Sequence, residues 1–266
     1  MSSQFHLRKL LASSALAAVL LTALPAAAQS VEGFSTGGYT YPALRVDGAP
    51  LLKSFYFRYN SSDHHIQSIA MQPHKPQLGR ATVAFGDHNN DDDYYYKGEF
   101  APYYGTIWRR EIPLTVCTAR CTMPLQRPAD PANWAFVITG FRVFFRGGDH
   151  HIDELRVTES GGYVTVAYND KNDDDSFAYE LQYAYVPRSR FSALGSRTGS
   201  AKGAQGVDYP VGNGVLRGFH FNFASDDHHI KDLGVMLRNN GRLEVYYGDN
   251  NRDDSFSWRV DYGILN

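Results

Sequence analysis

The sequence predicts an all-β protein of three homologous antiparallel units, about four strands each, packed as a pseudo-threefold or sandwich-like assembly. Three observations lead there. One long motif occurs three times, apolar residues alternate with a period of two, and no stretch after residue 28 carries a convincing helical stripe. Aromatic residues at 14%, with 24 Gly and 12 Pro, suit strands joined by turns.

Residues 1–28 come first and read as a secretory signal peptide. Arg8 and Lys9 form a positive start, Leu10 to Leu24 a short apolar run, and Ala26, Ala27 and Ala28 the small residues of a cleavage site. The run falls well short of the ~20 apolar residues of a membrane span, and no later stretch is long and apolar enough for a helical span. The expectation is an exported chain, 29–266, that is periplasmic or secreted. It keeps 24 basic and 28 acidic residues, a formal charge of −4. Nothing in that balance suggests nucleic acid.

Repeat 1 covers about 41–103, repeat 2 about 123–186 and repeat 3 about 209–262. Each holds a G-F-x-[FV]-x-F strand, with Ser54 replacing the Gly in the first. An Asp-His-His-Ile segment follows, then a strand ending in an acidic loop, then an aromatic strand. The triplet aspartates, Asp63, Asp149 and Asp227, are 86 and 78 residues apart. Phe219, Phe221 and Phe223 alternate, as do Leu243, Val245 and Tyr247. Phe256, Trp258, Val260 and Tyr262 then share one face of the last strand, opposite Ser257, Arg259 and Asp261. A four-stranded unit buries only one face and is marginal alone, so the three are expected to share a core.

Two connecting segments differ in kind. Residues 187–208, rich in Gly and Ser, read as a flexible surface loop. Cys117 and Cys121 sit in CTARC, and in an exported chain the first reading is a disulfide that pins a tiny loop.

The acidic loops are the first candidate sites. Oxygen side chains stand at positions 1, 3, 5 and 6 of each, namely Asp87, Asn89, Asp91 and Asp92; Asp170, Asn172, Asp174 and Asp175; and Asp249, Asn251, Asp253 and Asp254. Such spacing can converge oxygens on a hard cation such as Ca²⁺. These are not EF-hands, because position 6 is not Gly and position 12 is Gly98, Leu181 or Val260. Further ligands would come from Asp63, Asp149 and Asp227. Asx turns alone also favour Asp and Asn in hairpin loops. Adjacent carboxylates in all three copies, however, call for a cation or a donor.

The histidine pairs are the second. They are His64 and His65, His150 and His151, and His228 and His229. Imidazole favours Zn²⁺ or Mn²⁺ over Ca²⁺. Three readings stay open: a His satisfied by a carboxylate, a His joining the loop oxygens around a metal, and one His per copy converging on a threefold axis as an open three-His site. In a regular strand His65 shares a face with Ile69 and Met71, with Ile66 on the other; a bulge would change that.

No nucleophile elbow, zincin helix motif, P-loop or dinucleotide fingerprint is present, and no catalytic residue is assigned. Triplication favours binding over catalysis, since similar weak sites give avidity for a repetitive ligand. The expectation is a cation-dependent, lectin-like protein for a glycan or cell-surface polymer. Alternatives are a metal-dependent hydrolase and a structural envelope protein. Copy one, with Ser54, Asp93 and three consecutive Tyr, is expected to differ in specificity or to have lost it.

Overall fold

The computed structural model describes residues 27–60, 65–74, 79–87, 93–145, 151–170, 176–223, 229–249 and 255–266. The expected signal sequence therefore lies almost wholly outside the described residues. Among them, no helix is long and apolar enough to cross a membrane. The chain is all-β, with three six-stranded antiparallel sheets.

Each unit contributes six strands rather than four. Unit 1 is β1 (Gln29–Thr36), β2 (Tyr39–Thr40), β3 (Ala49–Tyr59), β4 (Ile66–Pro73), β5 (Ala81–Asp87) and β6 (Asp93–Tyr103). Unit 2 is β7 (Trp108–Thr118), β8 (Arg120–Pro124), β9 (Trp134–Phe145), β10 (Ile152–Ser160), β11 (Tyr163–Asp170) and β12 (Ser176–Pro187). Unit 3 is β13 (Phe191–Lys202), β14 (Gln205–Asp208), β15 (Asn213–Phe223), β16 (Ile230–Leu237), β17 (Arg242–Asp249) and β18 (Ser255–Leu265).

No unit owns a sheet. The orders are β1-β6-β3-β16-β17-β14, β13-β18-β15-β10-β11-β8 and β2-β5-β4-β9-β12-β7. Each sheet joins three strands of one unit to three of its neighbour. The seams are β3–β16, β4–β9 and β10–β15, each with four residue pairs in register. Unit 3 thus closes back on unit 1, and the assembly is pseudo-threefold.

The core follows the same symmetry. Phe55, Phe141 and Phe219 hold equivalent positions, are all buried, and meet with every pair of ring centroids 5.0 Å apart. Away from this axis each unit has its own aromatic pair. These are Tyr59–Phe85 at 4.1 Å, Phe145–Tyr168 at 4.0 Å and Phe223–Tyr247 at 4.4 Å.

Residues 187–208 are not a loop. Phe191–Lys202 is a twelve-residue strand along β18, and Gln205–Asp208 pairs with β17. The small residues that suggested a loop serve the pairing instead. A Cβ on Gly199 would lie 2.9 Å from the Trp258 ring, and one on Gly195 would lie 2.8 Å from the Tyr262 hydroxyl. The aromatic rings of β18 cover glycines on this edge strand.

Cys117 and Cys121 form the expected disulfide, with Cα atoms 5.9 Å apart. It spans the corner where β7 leaves one sheet and β8 enters the next, around Ala119 at φ 54°. Reduction is expected to cost about 2 kcal/mol, because a loop this short removes little chain entropy. Thermal melts with and without a phosphine reductant check this, and Cys117→Ser/Cys121→Ser should melt like the reduced protein.

Candidate functional site

The threefold repeat brings one histidine of each copy to a single place. Within each unit the chain leaves one sheet at Tyr59, Phe145 or Phe223 and re-enters the next at Ile66, Ile152 or Ile230. All three crossings lie at the same end of the axis. His65, His151 and His229 are the last residues before re-entry. Their ring centroids are 5.9 Å apart for His65–His151, 5.4 Å for His65–His229 and 5.3 Å for His151–His229. The three rings pack edge to face at interplanar angles of 72–86°. Each stands ten residues beyond its axial Phe, so the histidines form a layer at one end of the Phe55–Phe141–Phe219 axis.

A bulge sets the approach in every copy. The ladder slips between Ile66 and Ser68, between Ile152 and Glu154, and between Ile230 and Asp232. Ile66 and Ile69 consequently both face inward, at 2% and 0% exposure. A regular strand would have put them on opposite faces; the extra residue resets the alternation.

The first loop aspartate has a defined job beside this layer. Asp87 Oδ1 accepts the backbone N–H of His65 at 3.1 Å, and Asp249 Oδ1 accepts that of His229 at 3.2 Å. Both carboxylates are buried. Tyr247 Oη also donates to Asp249 Oδ2 at 3.4 Å. Asp170 ends β11 in register with Ile152, as Asp87 does with Ile66 and Asp249 with Ile230. In units 1 and 3 the carboxylate thus fixes the histidine backbone to the end of the neighbouring strand.

The other expected ligands lie outside the described residues. They are Asp63, His64, Asn89, Asp91, Asp92, Asp149, His150, Asn172, Asp174, Asp175, Asp227, His228, Asn251, Asp253 and Asp254. Among the described residues, no group of three or more His, Cys, Asp or Glu side chains is already placed to hold a metal ion.

Two features have no counterpart in the sequence reading. At the end opposite the histidines, units 1 and 2 enclose a cavity of about 730 Å³ with Arg45, Arg80, Arg109 and Arg110 in its wall. On the outer face of the β1-β6-β3-β16-β17-β14 sheet, Tyr56, Tyr95 and Tyr246 each donate a hydroxyl hydrogen bond to a carboxylate, from Asp232, Glu32 and Glu244 respectively. Burial first, and then the adjacent carboxylate, pushes all three phenol pKa values up, so the hydroxyls remain donors at neutral pH. Of the three consecutive Tyr of copy one, only Tyr95 lies on this face, since Tyr94 and Tyr96 are buried in the core; the three carboxylates come from units 1 and 3. Compared with known protein families and with curated proteins, the chain matches none.

Proposed function

We propose that this is a cation-dependent binding protein of the cell exterior with one axial cation centre per chain, formed by His65, His151 and His229. The carrying observation is the convergence of these three rings from three units. A Zn²⁺-type ion binds imidazole nitrogen at 2.0–2.1 Å, which holds three ring centres roughly 5 Å apart. The centroids stand 5.3–5.9 Å apart, so ring rotation with little backbone movement would gather the nitrogens. Imidazole donors favour a transition metal over Ca²⁺. Three protein ligands leave a position open for an oxygen of a bound glycan. Asp87 and Asp249, which hold the His65 and His229 backbones, would add negative charge beside the centre, and the acidic-loop oxygens would be the candidates for separate Ca²⁺ sites. Export suits the disulfide.

Elemental analysis and calorimetry with Zn²⁺ and Ca²⁺ test this. One Zn²⁺ per chain is expected, with the affinity falling at least tenfold in each of His65→Ala, His151→Ala and His229→Ala. Three Ca²⁺ per chain, unaffected by these substitutions, would return the site to the loops. No metal at all would leave the histidines as an edge-to-face packing layer.

The same convergence favours a second reading, a metal-dependent hydrolase, because one open three-His centre can activate water. Zn²⁺-loaded protein that cleaves an activated ester such as p-nitrophenyl acetate, with loss in all three histidine variants, would support it.

A further inference from the structure

We propose that the outer face of the β1-β6-β3-β16-β17-β14 sheet binds a neutral glycan chain on a row of four aromatic rings, Phe34, Tyr95, Tyr56 and Tyr246. The rings run across the strands in that order. Successive centroids are 5.3, 6.0 and 4.8 Å apart. Phe34 begins the row at 70% exposure, although a large apolar side chain gains nothing from solvent there. Between Tyr56 and Tyr246 the strand β16 carries Gly234, in register with both. No other residue fits that position, since a Cβ would lie 2.6 Å from the Phe55 carbonyl oxygen. The row is therefore continuous, without a side chain between its last two rings.

Each tyrosine is held by a carboxylate, and each carboxylate by a cation. Tyr95 donates to Glu32, which pairs with Lys97 at 2.8 Å. Tyr56 donates to Asp232 at 2.6 Å, with Arg58 at 3.7 Å from the same oxygen. Tyr246 donates to Glu244 at 2.8 Å, which pairs with Arg238 at 2.8 Å. The rings are fixed in place before any ligand arrives, which lowers the ordering cost of binding. The three carboxylates and three cations that hold the tyrosines cancel, and Lys231 at the edge of the adjoining hollow leaves a single net positive charge. That suits sugar hydroxyls, which take hydrogen bonds from both signs. It does not suit a polyanion such as nucleic acid, which requires a positive groove beside its stacking rings. A hollow of about 350 Å³ bounded by Phe34, Tyr56, Arg58 and Tyr95 opens beside the row. That is near the lower end of ligand-site volumes and has room for a single sugar ring.

The comparison with the other two sheets separates this face from the demands of the fold. The positions of Tyr56, Tyr95 and Tyr246 are Arg142, Ala178 and Ala84 in one sheet, and His220, Ser257 and Ala167 in the other. The same architecture forms there without a Tyr, Phe or Trp at any of the three positions. The core keeps threefold symmetry while this surface breaks it, which leaves one such face per chain. The site is separate from the axial histidines and needs no cation.

Affinity electrophoresis in EDTA, through gels containing hydroxyethylcellulose, xyloglucan, galactomannan or dextran sulfate, tests the proposal. At least one neutral polysaccharide is expected to retard the protein, and the apparent affinity should fall tenfold or more in Phe34→Ala and in Tyr95→Ala. Phe34→Ala alters a side chain that is mostly in solvent, so it reads binding rather than folding. Tyr95→Phe keeps the ring and should keep most of the affinity. Retardation by none of the neutral polymers, retardation only by dextran sulfate, or retardation unchanged in both alanine variants overturns it. Absence of metal binding by the unaltered protein, with this EDTA-insensitive retardation present, would sink the cation centre and leave this site standing.

Discussion

Phe219→Ala is expected to destabilise the protein by about 3–5 kcal/mol, in the range of buried Phe truncations. For a domain of this size that corresponds to a fall in Tm of roughly 10 °C. Phe219 is fully buried and touches Phe55 and Phe141 at 5.0 Å, with all three pairs tilted or edge to face. Its removal opens a cavity on the axis, where all three sheets meet and no single unit can collapse to fill it. Each such aromatic pair adds about 0.5–1.5 kcal/mol beyond area burial, and one truncation removes two of the three pairs. Phe55→Ala and Phe141→Ala should give losses of similar size, because the positions are equivalent. Chemical denaturation with a shared m-value checks this. A Phe219→Ala cost below about 1 kcal/mol would show that the axial contact does not hold the sheets together.

The second large effect is expected at the seam between units 2 and 3. Glu154 is buried, with 3% of its side chain exposed. Its carboxylate accepts from Arg120 at 3.0 Å and from Asn169 Nδ2 at 3.0 Å, and His220 Nε2 lies 2.9 Å from its Oε1. Burial pushes its pKa up, but the His220 and Arg120 hydrogen bonds and charges outweigh burial and hold it below the usual carboxylate value. A depressed folded pKa means that this contribution is complete above the unfolded value of about 4.3 and is lost as pH falls through the folded value. Glu154→Ala is expected to cost about 1–2 kcal/mol at pH 7, since Asn169 and the part-buried His220 lose their acceptor while the half-exposed Arg120 guanidinium regains water. The variant should also lose less stability than the parent between neutral pH and about pH 3. Equal pH slopes in parent and variant would refute the assignment.

Glu154 also shows why a seam is hard to read from sequence. Its equivalents are Ser68 and Asp232. Asp232 meets Tyr56 and Arg58 across the seam between units 3 and 1. Glu154 meets His220 across the seam between units 2 and 3. The partner across each seam lies in another repeat, so no spacing within one copy reveals it.

Much of the architecture was legible locally. The triplicate motif, the alternation of Phe256, Trp258 and Val260 against Ser257 and Arg259, and the Cys117–Cys121 bridge all follow from residue order. Neighbouring strand residues point to opposite faces whatever the rest of the chain does. The first loop aspartate was legible as a recurring carboxylate, but its bond to the His65 and His229 backbone was not. That bond depends on where β5 and β17 end in space. The strand from Phe191 to Lys202 was misread because its Gly and Ser suggest a loop in isolation. Trp258 and Tyr262, which make those small residues fit a strand, belong to β18 some sixty residues later.

Residue order alone was enough for the all-β class, the three copies and the face to which the motif residues turn, because these depend on period along the chain; two of the six strands in each unit escaped it. Only the tertiary structure decided that each sheet is shared by two units, that His65, His151 and His229 meet on one axis, and that four rings line up on one outer face. A central strand such as β4 has the same backbone donors and acceptors along both edges. Its partners, β5 on one side and β9 on the other, are therefore selected by closure of the whole assembly rather than by its own residues.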